Sequence, residues 1–284
     1  MLAILEISKG ILELGFIYSL VVLAVHLTSR TIVFDDLTME GSFGIGGAVA
    51  ARCALAELSP IIALPLSIIA GILAGIITGL LSKKLKLNNL ISSLIVTTAL
   101  FSISKKVAGS AMVTIPFACN LFEIGIIGSF WTKLIILGFI SFIITFSIRW
   151  LLQTEIGGIF RALGSNPQML TNLGKSINGY TIAAICIANG LTALAGALFV
   201  HYTSFFSITG NIGTFIFALA GLMFAEIISN KVGFALIFGA IAYPMLYTLT
   251  IELQLDPDLT KLITAFMMIG MLLLKKKNIT HLLR

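Results

Sequence analysis

From Ser176 to Ala225 the chain runs fifty residues without an Asp, Glu, Lys or Arg. As one α-helix that run would measure about 75 Å, against roughly 30 Å of hydrocarbon in a bilayer. It has to be two membrane crossings with a bend between them. The stretch TSFFSITGNIG (203–213), polar and glycine-rich, is the place for the bend. A soluble domain carries about 25% charged residues. This 284-residue chain has 11%, with 58% apolar residues and a mean hydropathy of +1.09. The fold class is therefore an all-α polytopic membrane protein.

Other apolar stretches lie at 14–29, 58–82, 87–104, 134–152, 232–250 and 260–274. Residues 34–58 are rich in Gly and Ala and are interrupted by Arg52 and Glu57, which predicts a broken or re-entrant second segment. The expectation is eight to ten transmembrane helices in one membrane domain, 1–284. Glu6 precedes Lys9, and Glu13 interrupts the first apolar run, so the pattern of a cleaved signal is absent and the first helix reads as retained. Cys53, Cys119 and Cys186 have no metal or redox spacing.

The net charge of +6 is not a nucleic-acid signal here, because basic residues in such a chain report orientation. Alternating the spans puts Lys83, Lys84, Lys86, Arg161, Lys175, Lys231, Lys275, Lys276, Lys277 and Arg284 on one side. The other side receives Lys105, Lys106, Lys133 and Lys261, with the acidic turn Glu252, Asp256, Asp258. The first side, holding the C-terminus, is read as cytoplasmic. The side of the N-terminus stays open.

The longest polar island, within 153–179, is RALGSNPQMLTNLGKS (161–176). Its ending Gly174-Lys175-Ser176 imitates a phosphate-binding loop, but the first glycine of that motif would fall at Met169. Nucleotide binding by this chain is not expected. Arg161-Ala-Leu-Gly164 reads as a helix ending, Asn166-Pro167 as a capped helix start, and Gly174 as a helix stop. Met169, Leu170 and Leu173 share one face of that short helix. Such an element either docks into a soluble partner or lies on lipid headgroups.

Other groups invite placement. Glu40-Gly41-Ser42-Phe43-Gly44 is acidic and loose enough to break, and is read as lining a translocation path. Asp35 and Asp36 are read as surface residues. Gly71, Gly75 and Gly79 share one helix face and allow close helix packing. Asn189, an amide in mid-span, must bond either another helix or a solute. His26 and His201 have no second ligand at metal spacing, and Glu226 is expected to pair locally with Lys231.

Phe160-Arg-Ala-Leu-Gly-Ser-Asn-Pro-Gln-Met-Leu with Leu173-Gly174 resembles the cytoplasmic loop of ATP-binding cassette permeases of the branched-chain amino acid and ribose type, close to R-A-x-G-x-N-P-x-x-A-x-x-x-G-I. Phe34-Asp-Asp-Leu-Thr-Met-Glu-Gly-Ser-Phe-Gly44 and Asn189-Gly-Leu-Thr-Ala-Leu-Ala-Gly-Ala-Leu198 are similar to two further elements of that family. The likeness covers about 30–228 and is nearest to a poorly characterised subgroup, some of it linked to aromatic amino acids such as tryptophan. It departs at Lys175-Ser176, where Ile-Asn or Ile-Asp is usual.

The resemblance implies a permease subunit of an importer in a bacterial inner membrane, carrying a small polar solute such as an amino acid. Arg161, Gly164, Asn166, Pro167, Met169, Leu170, Leu173 and Gly174 would then couple the chain to a cytoplasmic ATPase. ATP and Mg would be held by that ATPase, with no cofactor on this chain. An extracytoplasmic solute-binding protein and a second permease copy would complete the assembly. An ion-gradient-driven carrier is the alternative, but would be expected to hold more mid-span charge. A membrane enzyme would need a cluster of His and carboxylates, which the sequence does not display.

Overall fold

The computed structural model describes residues 2–116, 119–122, 131–228 and 234–252, with isolated positions beyond. The expected span at 260–274, Lys231, the basic C-terminal tail and most of the connection 117–130 lie outside the described residues. Among the described residues, six helices are long and apolar enough to cross a membrane.

The first, α1 (Leu2–Val25), ends in a π-helical turn, His26–Thr31. An irregular stretch, 32–37, leads into α2 (Thr38–Leu55). Then come α3 (Pro60–Lys83), α4 (Asn89–Ala108), the short strand β1 (Met112–Thr114) and α5 (Thr132–Gln153). The polar island folds as α6 (Glu155–Ser165) and α7 (Pro167–Asn172). After it run α8 (Ile177–Thr203), β2 (Phe205–Ser207), a 3-10 turn (Thr209–Asn211), α9 (Thr214–Ile228) and α10 (Phe234–Glu252).

Local chemistry sets the boundaries. Ser59 accepts a hydrogen bond from the Ile61 N–H, with Pro60 opening α3, and Asn88 does the same for Leu90 at the start of α4. The fifty-residue run does break in its polar stretch. Ser204 turns left-handed (φ 55°), and β2 pairs antiparallel with β1, Val113 opposite Phe206. This hairpin-like pair of strands, distant in sequence, closes one end of the bundle, the hairpin end; α6 and α7 sit at the other.

The bundle is built around α8 and α1, which are 67% and 61% buried along their apolar windows, against 28–33% for α3, α4 and α5. On α5 the outward Phe139, Phe146 and Trp150 are 64–72% exposed, as suits a face meeting lipid. Helix α1 runs antiparallel to α8, with Gly10 beside Tyr202 and Tyr18 beside Phe199. The first turns of α1 therefore lie at the hairpin end.

The second segment, expected to be broken or re-entrant over 34–58, is irregular at its start and has no break in its glycine run, 41–47. Thr38–Leu55 is one continuous helix, and the irregular backbone precedes it. Its glycines are contact points. A Cβ on Gly46 would collide with the Ala193 carbonyl, and one on Gly196 with the Phe43 carbonyl. Without a hydrophobic drive between helices in lipid, such backbone proximity is what holds them together. Gly71, Gly75 and Gly79 bring α3 onto α8 in the same way, against Asn189, Cys186 and Ile182.

Candidate translocation site at mid-depth

Two helices start inside the bundle rather than at its surface. Helix α2 begins beside the middle of α8, since Ser42 meets Asn189 and Gly46 meets Ala193. Asn189 itself is about 18 Å along α8 from its first residue. Helix α9 begins at the depth of Glu40, where the Gly213 N–H donates to Glu40 Oε1 at 2.7 Å. A helix start carries free N–H groups and partial positive charge, so a buried one needs an anion or an acceptor. Each has a carboxylate: Glu40 for α9 and Asp36 for α2.

Asp36 is fully buried, which corrects its reading as a surface residue. Its Oδ1 accepts from the Thr38 N–H at 2.9 Å and its Oδ2 from Asn189 Nδ2 at 2.7 Å. Asn189 also accepts from Ser42 Oγ at 2.6 Å and donates to the Ile185 carbonyl at 3.0 Å. Nearby, the Thr38 and Thr78 hydroxyls bond at 2.8 Å, and Thr97 donates to the Leu37 carbonyl at 2.9 Å. In this conformation Asn189 therefore bonds Ser42 of α2, Asp36 of the irregular stretch before it, and its own helix. The clue to Asp36 was its place two residues before Thr38, the spacing of a carboxylate that caps a helix.

The other expected path residues face protein rather than open space. A Cβ on Gly41 would come within 2.8 Å of Leu100, and one on Gly44 would lie 3.0 Å from the Asn211 amide. Glu40 is partly buried, between α2 and the start of α9.

At the other end, α7 is defined by its caps. Asn166 Oδ1 accepts from the Met169 N–H at 3.2 Å, Pro167 takes the first position, and Gly174 turns left-handed at φ 68°. Met169 and Leu173 are 53% and 61% exposed, but Leu170 is only 2% exposed. Of the three residues expected to share one docking face, Met169 and Leu173 are therefore exposed, and Leu170 anchors the six-residue helix to the bundle. Arg161 is exposed, while Phe160 and Leu163 on the opposite face of α6 are buried.

Gly164 packs directly on the Thr31 carbonyl, with Val33 alongside. Val33, β-branched yet at φ 52°, is a backbone outlier at this joint. The loop thus bears on the π-helical turn, and the irregular stretch after that turn carries Asp36. Arg30 on the same turn grips Glu226 of α9 with two bonds, 2.5 and 3.1 Å. Glu226 therefore has a partner 196 residues away, whereas the expected partner, Lys231, lies outside the described residues.

A bundle of apolar helices with two interior helix starts and polar groups at mid-depth is the build of a membrane transport subunit. The profile of the family described as "Branched-chain amino acid transport system / permease component" matches residues 8–272, and the chain belongs to that family. The family's members are transport permeases, not enzymes.

Over 277 residues the chain is 29% identical to a protein of Clostridioides difficile named tyrosine transport system permease protein, covering 95% of this chain and 92% of that one. An uncharacterized protein of Rickettsia prowazekii is 26% identical over 261 residues, covering 89% of this chain and 91% of its own length. The ribose import permease protein RbsC of Haemophilus influenzae is 25% identical over 180 residues, 62% of this chain and 56% of that one. No solved structure matches.

Proposed function

We propose that the chain is the membrane-spanning subunit of an ATP-binding cassette importer for an amino acid, with aromatic amino acids as the solute class. Near full-length similarity to a permease named for tyrosine supports that class; the ribose permease is similar over a shorter stretch. The end carrying α6 and α7 faces the cytoplasm, where the basic residues collect. An ATPase subunit seats on Met169 and Leu173 of α7, with Asn166, Pro167 and Gly174 fixing that helix and Arg161 and Gly164 fixing its base. ATP and Mg belong to the ATPase. A solute-binding protein delivers to the hairpin end, and a second permease copy completes the path.

The contact of Gly164 with Thr31 carries this reading. It gives displacement of α6 a short route, through the π-helical turn and 32–37, to Asp36 and the start of α2. Glu40, Gly41, Ser42, Gly44 and Asn189 then lie where the two interior helix starts must part for solute to pass.

The experiment is co-purification with the ATPase encoded beside the chain, in mild detergent. Substituting both Met169→Asp and Leu173→Asp is expected to lower the recovered ATPase at least tenfold while the permease still elutes as a folded species. Full recovery of ATPase on that variant would refute docking through α7. Asp36, a carboxylate at mid-depth held by neutral partners, is a feature an ion-coupled carrier would share. Uptake that survives ATP depletion but stops on collapse of the ion gradient would favour that second reading.

A further inference from the structure

In the hairpin half of the bundle, α1, α8, α9 and α10 enclose a cavity of about 300 Å³. Its walls include four aromatic rings, Tyr18, Phe199, Tyr202 and Phe217, with Leu14, Thr203 and Pro244. That volume is at the lower end of small-ligand pockets, and aromatic walls with few polar groups are their usual lining. The floor is an aromatic cluster. Tyr18 stacks on Phe43 (centroids 6.4 Å apart, planes 7°), and Phe199 tilts against both at 6.3 and 5.6 Å. Phe43 is the neighbour of Ser42, so the cavity ends one layer above the mid-depth polar cluster.

A second observation points to the same place. Glu13, on the turn of α1 that also carries Leu14, is only 3% exposed, yet its Oε1 accepts no hydrogen bond. It lies 3.5 Å from Lys9 Nζ, and the Tyr202 hydroxyl is turned towards the same carboxylate. A buried ion pair in a membrane helix is costly, and such groups mark solute routes. This one stands beside a ring-sized cavity.

We propose that this cavity binds an aromatic amino acid. Its ring sits among Tyr18, Phe199, Tyr202 and Phe217, in the offset and edge-on contacts that aromatic groups favour. Its ammonium takes Glu13 and its carboxylate takes Lys9. The net charge of the site is unchanged because the solute is a zwitterion. The inference rests on the importer reading for its ligand class.

The test uses the full chain with its ATPase in lipid nanodiscs and the photoreactive probe 4-azido-L-phenylalanine. Label is expected on residues 14–18, 199–203 or 217, suppressed by excess L-tyrosine or L-tryptophan and not by L-leucine. Leu14→Trp, which fills the cavity, and Glu13→Gln, which keeps its shape, should each lower the label at least tenfold with ATPase co-elution unchanged. Label elsewhere, label insensitive to L-tyrosine, label displaced equally by L-leucine, or label undiminished in Glu13→Gln would overturn the proposal. The wild-type result stands even if Leu14→Trp fails to fold. ATP-driven tyrosine uptake without label in the cavity sinks the cavity alone. Label in the cavity without any ATP-driven uptake sinks the importer reading and leaves the site.

Discussion

Gly196→Val is expected to leave no folded permease. A side chain there begins inside the Phe43 carbonyl oxygen, with the Phe43 carbonyl carbon at 2.8 Å and its Cα at 3.1 Å. These are backbone atoms of a buried helix, so no rotamer change relieves the clash. Helix α2 would have to move away from α8 as a body. The reciprocal contact of Gly46 with Ala193 would open with it, and so would the 2.6 Å bond from Ser42 to Asn189. Overpacking of a core typically costs about 1–3 kcal/mol when side chains can adjust. Here the loss of a helix interface and of buried hydrogen bonds adds to that figure. The check is size-exclusion profile and melting temperature in detergent. Gly158→Ala serves as the control, since nothing lies within 4 Å of the added carbon. The control should match or slightly exceed the parent, because Ala favours helix over Gly by up to about 1 kcal/mol. A monodisperse, parent-like Gly196→Val would show that α2 and α8 are not in contact as described.

Asp36→Ala should be the most damaging single change in the polar cluster, and Asp36→Asn should separate its structural from its transport role. Alanine leaves the Thr38 N–H without its acceptor and takes one from Asn189 Nδ2, although the Ile185 carbonyl still serves the latter. An orphaned buried donor costs about 1–3 kcal/mol. Asparagine keeps an oxygen for Thr38. Its amide would meet the Asn189 amide donor to donor; a flip of Asn189, with the Ser42 hydroxyl turned to accept, removes that contact but gives up the Asn189 bond to the Ile185 carbonyl. The expected order of melting temperature is therefore parent, then Asp36→Asn close behind, then Asp36→Ala clearly lower. Uptake of labelled tyrosine by the assembled transporter should fall at least tenfold in Asp36→Asn if the charge matters to the moving solute. Parent-level uptake in that variant would leave Asp36 a helix cap and nothing more.

Much of this was legible from the residues, and the remainder was illegible for one physical reason. The bend at 203–213 and the ends of α7 follow from groups within a few positions of each other, such as Asn166 with Met169. Local patterns carry that kind of information. Asp36 reads as a surface acid until Asn189 is placed beside it, and nothing near Glu226 in the sequence announces Arg30. The partners are 153 and 196 residues away, and no local pattern connects them. The glycines of α2 misled in a related way. Looseness and close packing call for the same residue, and only the neighbouring helix distinguishes them. Leu170 shows the same limit on a smaller scale, since periodicity groups it with Met169 and Leu173 but the bundle claims it.

The separation of Asp36 from Asn189 has a bearing on how the chain is made. Synthesis proceeds at about 5–20 residues per second, so the 153 residues between them take roughly 10–30 s to appear. During that interval α2 and its carboxylate have left the ribosome, while the amide that will hold them is still untranslated. The early helices must wait, sheltered by the insertion machinery or by one another, until α8 arrives to close the bundle. Truncation before α8, or a change that delays its entry, therefore exposes nascent chains to membrane quality control at the point where their most buried acid is unclaimed.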